Sequence, residues 1–171
     1  MFQLFRNRAA DSSPFVAGER FPYPIPDGPR IAVFATRFAE TATVSLAADV
    51  WELPRLDVQA LAAPMEIIRE IDPACWSPEY PLIVLSDDET GRMSENDRNY
   101  IWERFGMPVF EYLIDTSGRI IARECEAHDG LHIEGDFSSG ELDITAEACP
   151  CGRPGQRIIG PAAIDAADAI I

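Results

Sequence analysis

The segment "ECEAHDGLHIEGD", Glu124 to Asp136, holds Cys125, His128 and His132, and "CPCG", Cys149 to Gly152, adds two more cysteines. The chain has four cysteines and two histidines in all, so five of these six side chains fall in one short stretch. Thiolate sulfur and imidazole nitrogen are the preferred ligands of zinc, and four of them in tetrahedral array close a structural site. The spacing Cys125-x6-His132-x16-Cys149-x-Cys151 supplies such a set, with His128 as a further candidate. Alternation along "GLHIE" sets His132 on the face opposite Leu131 and Ile133, free to meet the Cys-x-Cys turn. Cys125-x2-His128 is also an acceptable ligand spacing, so both histidines stay open on this ground. Cys75, in "DPACWSP", lies far off and is expected as a packed thiol.

Catalytic readings of the same residues are weaker. "HIE" matches half of a zinc deaminase motif, whose other half should read Pro-Cys-x2-Cys at a helix start. Here it reads Cys-Pro-Cys-Gly, and Cys125 would fill the open coordination position. No Ser/His/Asp or Cys/His triad stands out, because a histidine that ligates a metal cannot serve as a general base. Asp87, Asp88 and Glu89 could bind a cation, but "SDDETG" is more simply a polar turn. All fourteen basic residues are arginine, which excludes Schiff-base chemistry and the lysine of a phosphate-binding loop.

The elements that must position these residues follow from the hydrophobic pattern. The chain of 171 residues is expected to form a single domain, 1–171, with an irregular Pro- and Gly-rich arm over 1–30. "RIAVFATRF" and "YPLIVLSDD" read as buried strands, and "AETATVSLAADVW" fits strand or helix. "DVQALAAPMEIIREID" reads as a helix interrupted or started near Pro64. "MSENDRNYIWERFG" has the marks of a helix capped by Ser94 and Gly106. "MPVFEYLID" and "RIIARECEA", joined by "TSG", predict a hairpin. "GLHIEGD" and "GELDITAEA" predict a second strand pair around "FSS", "RIIG" a short last strand, and "PAAIDAADAII" a final helix. The fold class is α+β, or α/β: a short mixed sheet with a few helices and a C-terminal antiparallel zinc-binding β element over 107–160.

The net charge of −15 argues against a nucleic-acid partner, since such binding relies on basic surface to displace counterions. No apolar run reaches the roughly 20 residues that cross a bilayer, and no signal peptide is visible, so a cytoplasmic location is expected.

The run "FGMPVFEYLIDTSGRIIARECEAHDGLHIEGD", followed by "CPCGRPGQRI", resembles the central part of the phenylacetate–coenzyme A ligase family of adenylate-forming enzymes. That family has a Pro-Val-(Tyr/Phe)-Glu strand, a Cys-Glu…Gly-Leu-His segment and a Cys-x-Cys-Gly-Arg turn, and some members carry a structural zinc there. The resemblance spans about residues 104–159 and implies Zn2+ as cofactor, held by Cys125, His132, Cys149 and Cys151. His128 falls outside the family pattern. The family strand continues into a Tyr-Gly-(Ser/Thr)-(Thr/Ser)-Glu motif that touches adenine and magnesium. Here Tyr112 is followed by Leu113, Ile114 and Asp115, and the phosphate loop and catalytic lysine are missing. The resemblance therefore implies a non-catalytic zinc-binding domain, acting as an accessory or protein-interaction module with a protein partner or a second copy of itself. The alternative is a small-molecule protein for an aryl acid or acyl-CoA, or a subunit whose nucleotide site lies on another chain.

Overall fold

The computed structural model describes residues 21–24, 28–35, 38, 41–87, 90–134 and 142–159. The expected final helix over 161–171, the "FSS" turn and most of the N-terminal arm lie outside these residues. Among the described residues, nine strands form one mixed sheet in the order β2-β1-β3-β4-β5-β6-β7-β9-β8. They are β1 (Ile31–Val33), β2 (Val44–Leu46), β3 (Ala60–Ala63), β4 (Leu82–Ser86), β5 (Val109–Ile114), β6 (Ile120–Glu124), β7 (Leu131–Ile133), β8 (Ile144–Thr145) and β9 (Arg157–Ile158). The described helices are a 3-10 helix (Val50–Arg55), α1 (Met65–Glu70) and α2 (Glu95–Phe105). Strands β2, β1, β3, β4 and β5 pair in parallel, whereas β5, β6, β7, β9 and β8 pair antiparallel.

The parallel half is apolar on both faces because elements cover both. Strands β1, β3 and β4 are buried throughout, as continuous apolar runs in parallel sheets usually are. Successive side chains alternate between faces. Ala32, Leu61, Leu82, Val84 and Val109 pack under Leu53, Ile68 and Ile101 of the helices. Ile31, Val33, Ile83, Leu85 and Tyr112 form the opposite cluster with Phe21. Tyr112 donates its hydroxyl to the Pro22 carbonyl at 2.6 Å, and burial pushes its phenol up to about 12.

Two expectations are corrected. Ala60–Ala63 is not the first half of a helix but the central strand β3, fully buried between β1 and β4. Burial on both faces outweighs the helix preference of alanine, and Pro64 favours extended backbone just before it. The helix starts at Met65 with Pro64 as its cap, so of the two readings, a helix interrupted or started near Pro64, the second holds. The second correction concerns the C-terminal strands: β7 does not pair with β8, because β9 lies between them and pairs with both.

Helix α2 follows its sequence signals closely. The Ser94 Oγ accepts from the Asp97 amide at 3.1 Å, and the Asp97 carboxylate accepts from the Ser94 amide at 3.0 Å. This reciprocal pair satisfies two of the unpaired donors at the helix start. Gly106 ends the helix with φ 65°, a left-handed conformation in which glycine carries no Cβ penalty. The β5–β6 hairpin turns where Asp115 Oδ1 accepts from the amides of Ser117 (2.8 Å) and Arg119 (3.0 Å).

A candidate metal centre and a buried ionic network

The antiparallel half brings the cysteine and histidine residues together. Cys125 directly follows β6, and the chain reverses through a turn in which the His128 amide donates to the Cys125 carbonyl at 3.0 Å. Gly130 completes the reversal with φ 81°. A Cβ at this position would stand 2.6 Å from the Ile158 carbonyl oxygen, so only glycine fits both the angle and the neighbouring strand. Strand β7 then carries His132 opposite Arg123 of β6 and Arg157 of β9. Leu131 lies one residue earlier and packs into the cluster with Leu113, Ile121, Ala122 and Ile158. The second pair of sulfurs comes from a tight turn closed by the Gly152 amide on the Cys149 carbonyl at 2.9 Å, with Gly152 at φ 77°.

One ligand atom from each of Cys125, His132, Cys149 and Cys151 lies within 4.8 Å of every other. The Cys125 and Cys149 sulfurs are 3.6 Å apart, and the Cys151 sulfur is 3.4 Å from His132 Nε2. A tetrahedral ion with bonds of about 2.3 Å to sulfur and about 2.0 Å to nitrogen needs edges of roughly 3.5–3.8 Å. The two edges agree with that geometry to within about 0.2 Å, and the four residues lie close enough to hold a metal ion. Cys125, Cys149 and His132 are buried and Cys151 is half-buried, which leaves little access for water.

The electrostatics set the conditions for binding. Burial pushes the Cys125 thiol up to about 11. The Arg153 amide, 3.4 Å from the Cys151 sulfur, holds that thiol below its ordinary value. Burial lowers the His132 imidazole, and the positive charges of Arg153 and Arg157 lower it further. His132 is therefore held in the neutral form that ligates metals, while Cys125 must lose a proton when an ion arrives. Metal affinity accordingly rises with pH.

His128 stands apart from the cluster. Its Nδ1 lies 2.9 Å from Glu124 Oε1, and its ring stacks on Phe110 with centroids 5.0 Å apart. It takes φ 50°, a left-handed conformation that histidine enters more often than most residues. The structure thus brings together the two sulfurs of the Cys-x-Cys turn, Cys125 and His132, and leaves His128 out. The expected outcome is that His132→Ala lowers the metal-to-protein ratio, whereas His128→Ala keeps that of the parent, measured by elemental analysis of the purified variants. Cys75 corrects another expectation, for it is exposed, with its sulfur 3.7 Å from an Asp72 oxygen. Of the acidic turn, Asp87 accepts from the Thr90 amide at 2.7 Å, and residues 88–89 lie outside the described ones.

Spacing gave no warning of a second set of charged groups. Glu111 lies on β5 with no solvent exposure and receives Arg92 through two bonds, at 2.9 and 3.0 Å, and the Met93 amide at 2.8 Å. Its neighbour across the sheet, Glu124, accepts from Arg98 at 2.9 Å and from the Glu111 amide at 2.8 Å. The one signal was Glu111 in the middle of the apolar strand β5, where an unpaired carboxylate would be prohibitively costly; Glu124, at the end of β6 after Arg123, gave none.

Among the described residues, no helix is long and apolar enough to cross a membrane. No protein-family model and no curated protein matches the chain.

Proposed function

We propose that the chain is a zinc-stabilised, non-catalytic binding module in which one Zn2+ ion ties the β6–β7 turn to the Cys-x-Cys turn before β9. The observation that carries this reading is the set of three sulfurs and one imidazole nitrogen within 4.8 Å of one another, with two of its edges at tetrahedral length. Three thiolates and one imidazole favour zinc over oxygen-seeking cations, and four protein ligands leave no position for a reacting water. The ion is therefore structural. Its three negative ligands leave a net charge of about −1, which Arg153 and Arg157 beside His132 can offset. All four cysteines are free thiols, and such a set persists in a reducing compartment, which favours the cytoplasm.

The likeness of "GLHI" and "CPCGR" to the zinc-bearing segment of phenylacetate–coenzyme A ligases supports the same ligand set. It does not carry the ligase activity across. No lysine exists in the chain, and Leu113, Ile114 and Asp115 stand where the adenine and magnesium motif would continue. The purified protein is expected to contain one zinc per chain by elemental analysis, and a metal-free, fully folded protein would overturn the reading. It is also expected to show no carboxylic-acid-dependent exchange of pyrophosphate into ATP.

A further inference from the structure

His128, excluded from the metal centre, lines two adjoining hollows on the α2 side of the molecule. One is a cavity of about 230 Å3 that also contains Glu111, Glu124, Glu95 and Asp129. The other is a groove of about 400 Å3, walled by Glu95, Arg98, Asn99 and Trp102 of α2 and floored by Met107. Trp102 is 61 % exposed, a large apolar surface left in water. Arg69 and Arg104 stack on Tyr100 and Phe105 of the same helix, but no cation or ring among the described residues sits on Trp102.

The ion pairs of the hollow leave one carboxylate over. Two arginines, Arg92 and Arg98, face four carboxylates in the cavity lining. Arg92 is matched by Glu111, Arg98 by Glu124, and Asp129 is paired from outside by Arg157 at 2.6 Å. Glu95 enters none of these ion pairs and is exposed at the junction of cavity and groove. An indole face is attracted to ammonium and guanidinium groups, and a carboxylate without a cation of its own attracts the same groups. Glu95 and Trp102 are seven residues apart on one helix, about 10 Å along its axis. A chain in the extended polyproline II form rises about 3.1 Å per residue with three residues per turn, so side chains three positions apart share one face about 9 Å apart.

We propose that this groove is the docking site for a basic segment of a partner protein, an extended stretch with two Arg or Lys residues three positions apart. One cationic side chain lies on the face of Trp102 and the other meets Glu95. The inference rests on reading the chain as a binding module and names the surface it uses. The net charge of −15 steers such a segment in at low salt but does not by itself select a site. Selection comes from the tryptophan, which is neutral.

The experiment titrates the zinc-loaded full chain with the peptide acetyl-Gly-Arg-Ala-Ala-Arg-Gly-amide by calorimetry at low salt. The expected result is saturable one-to-one binding that Trp102→Ala weakens by about tenfold, equivalent to about 1.4 kcal/mol. Trp102→Phe, which keeps an aromatic face, retains part of the affinity. Glu95→Gln weakens binding by about fivefold, the size of one surface ion pair. Trp51→Ala, which removes another exposed tryptophan, leaves affinity unchanged. Because Trp102 is exposed, its variants keep their melting temperature and zinc content. Equal affinity in the parent and Trp102→Ala would show general attraction to an acidic protein and overturn the proposal. So would equal binding of a peptide with glutamate in place of arginine, or self-association abolished by Trp102→Ala, which makes a second copy the occupant. Zinc measured in the same samples separates the two readings: zinc-loaded protein that ignores the peptide sinks only the docking site. Zinc-free folded protein that binds it sinks only the metal.

Discussion

With the proposed zinc in place, Cys149→Ser and Cys151→Ser are each expected to lose it and to melt about 10 °C below the parent protein. The unfolded chain has no preformed site, so the binding free energy of a structural zinc is folding free energy, roughly 10–16 kcal/mol in small zinc domains. At free zinc roughly a few hundred to a thousand times the dissociation constant, the stability this supplies, and that loss of the ion removes, is about 3–4 kcal/mol. In a chain of this size 1 kcal/mol shifts the melting temperature by about 2–4 °C. The loss should be local in origin. Cys125, His132, Cys149 and Cys151 join β6, β7 and the turn before β9, so without the ion the antiparallel half opens first. Hydrogen exchange would show protection lost in β7, β8 and β9, while β1, β3 and β4 stay protected. A strong chelator should reproduce the effect in the parent and have no further effect on the variants. Thermal denaturation with matched zinc analysis checks both. A Cys151→Ser protein that melts with the parent would remove the metal from the account of the fold.

Arg92→Met costs about 3–5 kcal/mol of stability, whatever the metal content. Glu111 has no solvent exposure, and Arg92 holds both of its oxygens. Removing the guanidinium leaves a buried carboxylate with only the Met93 amide, and breaking a buried pair from one side costs about that much. The double variant Arg92→Met with Glu111→Gln should recover most of the loss. The amide is neutral and still offers an oxygen to Met93. Urea denaturation of the parent, both single variants and the double variant tests the coupling. If the double variant is as unstable as Arg92→Met, the cost lies in lost packing of the arginine stem and not in an uncompensated charge.

Much of the local structure was legible because it depends on short-range chemistry. The Ser94 and Gly106 caps, the "TSG" hairpin and the β4 strand follow from residues within a few positions of one another. The candidate metal set was legible for a related reason. Cysteine and histidine are scarce in this chain, and their clustering stands out against an ordinary background. Spacing alone could not choose between His128 and His132, since both lie within reach of Cys125 along the chain. The choice follows from pairing. Register places His132 between Arg123 and Arg157, and alternation turns it away from Leu131. His128 instead sits in a left-handed turn against Glu124 and Phe110.

Other features depended wholly on partners distant in sequence. "ALAA" has a local preference for helix and becomes a strand because β1 and β4 flank it and both sheet faces are covered. The insertion of β9 between β7 and β8 is a matter of which edge remains open once β6 and β7 have paired. Glu111 and Glu124 look like ordinary charged residues, 13 positions apart; antiparallel pairing makes them neighbours, and Arg92 and Arg98 reach them from the segment leading into α2 and from α2 itself. Residue type and local order set which side chains can cap, turn and bind. The tertiary structure decided which of them are buried and which meet, because burial and contact are properties of elements packed together and not of residues in order.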